Sequence, residues 1–114
     1  MKVKVYFNLH KKMFSVVALE GDSRGRVIAH ETEVKLTNAT FKVSEAGRQR
    51  VIREQRKNVH AYVVGTLTDT VKNCDQAVTY NPYKYSSFVY KDTESKIETA
   101  KEALLTNKQI FVNN

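Results

Sequence analysis

The chain has 114 residues, 41% of them apolar and 27% charged, which suits one globular domain (1–114) and excludes a disordered chain. Nineteen Lys and Arg against 12 Asp and Glu give a net charge of +7, so polyanions are the favoured partners. Cys74 is the single cysteine, which excludes an intrachain disulfide and a zinc site built on cysteines.

Residues 1–8 alternate, with Val3, Val5 and Phe7 set against Lys2, Lys4 and Tyr6. That period of two predicts a strand rather than a basic-then-apolar leader. No apolar run approaches the roughly 20 residues of a membrane span, so a cytosolic protein with no membrane partner is expected. Asn8 to Lys12 is a short polar connection to a second strand at Met13–Leu19. Gly21-Asp22-Ser23-Arg24-Gly25 is a turn, because two glycines tolerate positive φ. Arg26–His30 follows as a third strand. Val34, Leu36, Phe41 and Val43 mark a fourth, broken near Thr37-Asn38-Ala39.

From Ser44 to Asn58 the pattern changes to a surface helix over 44–58. Ser44 is its expected N-cap, and Asn58 can take a left-handed C-cap. Val59–Leu67 is β-branched and aromatic, as a central strand should be. A polar loop over 68–75 leads to short strands at Ala77–Tyr80 and Ser86–Tyr90, separated by the turn signal Asn81-Pro82. A helical turn is expected at Lys101–Leu105 and a last strand at Ile110–Val112. The fold class is therefore α+β: mainly antiparallel sheet, one basic surface helix and a short C-terminal helical turn.

Two segments carry candidate binding chemistry. On the helix, Arg50, Arg53 and Lys57 are three and four apart and share a face; Arg56 adds a further guanidinium. Such a row repels itself, and phosphate oxygens matched bidentately by guanidinium forks would relieve the repulsion. The second segment is Tyr80 to Tyr90. Tyr83, Tyr85 and Phe88 can stack on a base, the Asn81 amide can read its edge, and Lys84 can meet a phosphate. His60 follows the helix closely enough to join a phosphate pocket. His10, His30 and His60 lack metal-ligand spacing, so no metal is expected. Glycine-rich phosphate loop, nucleophile elbow and zinc-protease helix are all missing from the sequence, so neither catalysis nor a cofactor is expected. The partner classes are a small phosphate-bearing nucleotide, nucleic acid, or an acidic host protein that the chain would inhibit.

Lys4-Val5-Tyr6-Phe7-Asn8-Leu9-His10, Gly25-Arg26-Val27-Ile28-Ala29-His30, Arg56-Lys57-Asn58-Val59-His60-Ala61 and Tyr80-Asn81-Pro82-Tyr83 resemble a family of small proteins of tailed bacteriophages. In size, charge and β-rich layout the chain is similar to the phage anti-Thoeris sponges, which sequester cyclic ADP-ribose signals without cleaving them. That resemblance implies a homo-oligomer in the cytoplasm of the host bacterial cell, with ligand pockets between protomers. It also implies arginines on the phosphates, with Arg50, Arg53 and Arg56 as candidates, and an aromatic on adenine, from Tyr83, Tyr85 or Phe88.

Overall fold

Alternation builds the first strands as expected. The computed structural model describes residues 1–114. In β1 (Lys2–Asn8) Val3 and Val5 are fully buried, while Lys2 is exposed. The Asn8 side chain accepts the N–H groups of His10 and Lys11, turning the chain back into β2 (Met13–Ala18). Gly21 and Gly25 take φ of 77° and 85°, and this turn delivers β3 (Val27–Glu31). The fourth strand, β4 (Glu33–Val43), runs through its expected break. Asn38 adopts φ of 51° and the register shifts between Thr37 and Thr40, so the interruption is a β-bulge rather than an end.

The helix α1 (Glu45–Glu54) is shorter than its sequence suggests. Ser44 caps it, its hydroxyl accepting the Gly47 N–H at 3.2 Å. At the other end Gln55, not Asn58, turns left-handed at φ of 53° and donates its N–H to the Val51 carbonyl. Arg56 and Lys57 therefore lie beyond the helix, and the expected Arg50–Arg53–Lys57 row is not formed. β5 (Ala61–Leu67) follows.

The second half supplies β6 (Gln76–Thr79), β7 (Val89–Tyr90), β8 (Thr99–Thr106) and β9 (Gln109–Asn113). Of the strand expected at Ser86–Tyr90, only its last two residues pair with β6. The helical turn expected at Lys101–Leu105 is strand instead, paired on one side with β4 and on the other with β9. Ala, Lys, Glu and Leu favour helix locally. Two flanking strands and burial of Ala100, Ala103 and Leu105 override that weak preference.

All strand pairings are antiparallel, in the order β3-β2-β1-β5-β4-β8-β9-β6-β7. β3 and β4 stand four places apart in that order, yet only Thr32 joins them. Two residues of chain reach about 7 Å at most. Four strand spacings in a flat sheet need about 19 Å. The first five strands must therefore curl round until β3 approaches β4. The inner face encloses one core of 16 residues, from Val3 and Phe14 to Phe88 and Val112. No helix is long and apolar enough to cross a membrane.

Candidate functional site

The basic helix and the tyrosine-rich loop meet within one chain, and the residue that joins them is Arg48. Its Nε donates to the carbonyls of Pro82 and Tyr85 at 3.0 and 2.8 Å, and its Nη1 pairs with Glu45 at 2.9 Å. The loop offers those carbonyls because the N–H groups of Lys84 and Tyr85 both turn back to the Asn81 carbonyl, and the Asn81 side chain accepts the Tyr83 N–H. Glu45 sits in the first turn of the helix. Its carboxyl lies below the usual range because Gln49 and Arg48 both donate to it.

His60 is buried beneath this junction. Its Nδ1 lies 2.8 Å from the Asn58 carbonyl, which can only accept, so Nδ1 carries the proton. In that tautomer Nε2 accepts the Tyr80 hydroxyl at 2.7 Å. Burial pushes the Tyr80 phenol up to about 12. Both nitrogens of His60 are thus committed inside the protein. Gly47 lets the helix approach: a Cβ there would stand 2.6 Å from the Cβ of His60.

The sequence-predicted site residues divide into three groups. Arg50 and Arg53 lie on the surface, their side chains 62% and 72% exposed, and share Glu54 in loose ion pairs of 3.9 and 3.8 Å. Arg56, Lys57 and Tyr83 are exposed as well. Lys84 and Tyr85 converge on Glu94, Lys84 at 2.9 Å and Tyr85 through its hydroxyl. This pairing raises Lys84 and lowers Glu94. Phe88 is 7% exposed and stacks between Phe41 and Tyr80, so the surface stacking role expected of it is corrected to a core role. Burial, with Glu102 and Asp75 nearby, pushes the Cys74 thiol up. No three His, Cys, Asp or Glu side chains converge as metal ligands would.

Sequence reasoning missed a cavity of about 230 Å³ between β1 and β5 on one side and β6 and β9 on the other. Its walls are largely apolar, and six of the 14 lining residues are aromatic, Phe7, Phe14, Tyr80 and Phe88 among them. Phe7 and Phe14 meet edge to face at 5.3 Å, and Tyr80 tilts against Phe88 at 5.2 Å. Lys108 lines the cavity, with Nζ 5.5 Å from the Phe7 ring centre. A second cleft, on the other side of Phe7 and Lys108, contains Lys12. No Asp or Glu lines either space.

The placing of Lys108 is costly. Asn107 and Lys108 form the two-residue loop between β8 and β9, with φ of 47° and 67°. Two positive φ angles define a type I′ hairpin turn, which prefers Gly at its second position. A lysine held left-handed costs about 1 kcal/mol. Only an apolar reading of 101–105 as strand would have exposed Asn107-Lys108 as this turn.

No solved structure matches the chain. A family model described as Mycobacterium phage L5 gene 82 protein matches residues 1–113. The Gene 82 protein of Mycobacterium phage L5 is 38% identical over 118 residues, covering 96% of this chain and 94% of that protein. The phage origin suggested by the wording of the strands thus stands, and the chain belongs to the family of the Mycobacterium phage L5 gene 82 protein.

Proposed function

We propose that this phage protein binds a phosphate-bearing nucleotide of the cyclic ADP-ribose signal type and holds it without cleaving it. The observation that carries the reading is the carboxylate-free aromatic cavity with Lys108 held left-handed beside it. At about 230 Å³ the cavity falls below the roughly 300 Å³ at which drug-sized ligands begin to fit whole. It takes a base and leaves sugar and phosphate outside, near Lys108 and Lys12. The ring-lined walls suit a base of any sequence. Arg50, Arg53 and Tyr83, on the surface, provide further contacts to a second phosphate or base across a protomer boundary. A homo-oligomer belongs to this reading, and the exposed Val27 and Ile28 on the edge strand β3 support it.

The test is a thermal shift with a cyclic ADP-ribose isomer, followed by heat denaturation and analysis of the released ligand. At a hundredfold excess over Kd, binding adds about 2.7 kcal/mol, a rise of several degrees in Tm. Recovery of intact ligand supports a binder that leaves bonds alone. An unchanged Tm at saturating ligand, or recovery of a cleaved product, overturns the proposal.

A further inference from the structure

The outer face of the curled sheet has a composition that core packing does not require. Lys4 and Tyr6 of β1 point away from the core, as do Tyr62 and Val64 of β5 and Lys42 and Thr40 of β4. Register places Lys42 directly beside Tyr62, and Thr40 and Lys4 on either side of Val64. Lys4 Nζ stands 4.7 Å above the Tyr62 ring. Across this part of β1, β5 and β4 the outward positions carry no carboxylate, although the chain has 12. Acids stand at the rim. Glu20 accepts the Lys2 N–H, and Glu102 accepts from Lys72 and Asn113. Beyond Lys42 the face continues into a groove edged by Ser86, Ser87, Thr99 and the Lys96–Glu98 ion pair, which closes at 3.2 Å. Toward β1, Tyr6 and Tyr62 also line the aromatic cavity.

Lysines alone would indicate only a solvated surface. The interleaving with two tyrosines on one strand face is more selective. Tyr6 and Tyr62 are half-buried; a tyrosine ring left partly open on a sheet can accept an unstacked base on its free face, and lysines one strand spacing away meet the phosphates on either side of that base. Duplex bases are stacked on one another and cannot reach such rings. An acidic protein would satisfy the lysines but leave the rings without a planar partner.

We infer that the outer face of β1, β5 and the end of β4 binds a single strand of nucleic acid, with bases on Tyr62 and Tyr6 and phosphates on Lys4 and Lys42. On binding, the Lys4 ammonium moves from the Tyr62 ring to the adjoining phosphate, so the base takes its place. The inference extends the nucleotide reading from one base to a strand; its phosphate contacts, Lys4 and Lys42, lie outside the cavity, whereas Tyr6 and Tyr62 also line it.

The experiment is fluorescence anisotropy with labelled 20-nucleotide oligothymidylate and oligouridylate, in parallel with a hairpin duplex and poly-glutamate, at low and moderate salt. The native chain should bind both single strands more tightly than the duplex. The K4Q/K42Q double variant should lose about tenfold or more, with a salt slope shallower by about 1.4, or 0.7 per phosphate contact. Tyr62→Leu, which keeps an apolar side chain on the strand, should lose about fivefold or more through stacking. Equal affinity for oligothymidylate in the native and double-variant proteins overturns the inference. So does binding of poly-glutamate as tight as that of the strands, which marks a general anion surface. The nucleotide proposal is separable. K4Q/K42Q should keep its thermal shift with the cyclic nucleotide, so loss of strand binding alone or of nucleotide binding alone identifies which reading fails.

Discussion

At the scale of single residues, the chain accepts local strain where a charge is useful. Lys108 is the clearest case: its left-handed turn would be relieved by glycine. Lys108→Gly should therefore raise stability by about 1 kcal/mol, read as a higher midpoint in urea, while weakening nucleotide binding. A variant that is stabilised and binds as before would remove Lys108 from the site. Tyr80 gives a second residue-scale expectation. Its phenol is raised from 10 to about 12 by burial, so the folded state holds this proton more tightly than the unfolded chain. Stability is complete below pH 10 and declines as pH rises toward 12. Urea melts across that window should show a shallower decline for Tyr80→Phe than for the native protein. An identical slope would mean that other groups govern alkaline unfolding.

At the scale of elements, strands were easier to read than the helix and its surroundings. β1, β2 and β5 announce themselves because alternation or β-branching coincides with their pairing partners. The helix start is likewise visible in Ser44. Its end is not, because a glutamine with positive φ has no compositional signature, and so the arginine row dissolved past Gln55. β8 was misread because its Ala, Lys, Glu and Leu composition is helical and the two strands that hold it are distant in sequence. The exposure of Arg50, Arg53 and Tyr83 was legible in the sequence, whereas the role of Arg48 and the cavity were not. Both depend on residues about 35 or more positions apart. The helix also yields a prediction against propensity. Gly47→Ala should gain about 1 kcal/mol of helix preference, yet destabilise overall by about 1–3 kcal/mol because the added Cβ meets His60. Thermal melts check the sign; a rise in Tm would mean the helix slides away freely. Arg48→Ala should cost about 1–3 kcal/mol, since it strips the Pro82 and Tyr85 carbonyls of their donor.

At the scale of the whole molecule, a single core holds a sheet that curls enough for Thr32 alone to join β3 to β4. β7, at one end of the strand order, is covered by the 91–98 segment, whose Lys96 bridges to Val89. β3, at the other end, carries exposed Val27 and Ile28. Sedimentation velocity should therefore find an oligomer at micromolar concentration, and Ile28→Lys should shift it toward monomer. A native chain that sediments as a monomer at every concentration would leave each binding site to be completed within one subunit.

The Thr32 junction also bears on synthesis. Every partner of β1, β2, β3 and β5 lies within residues 1–67, so the curled half has all its pairings once residue 67 has left the ribosome. β4 alone must wait: its second edge pairs with β8, some 60–70 residues later in the chain for most of the ladder. A nascent chain halted after Leu67 would be a nearly closed half-shell in which β4 adds a second naked edge to that of β3, and it would be vulnerable to misassembly there until β8 arrives. Pairings of such long sequence separation also place the whole chain among the slower folders, in the millisecond-to-second range.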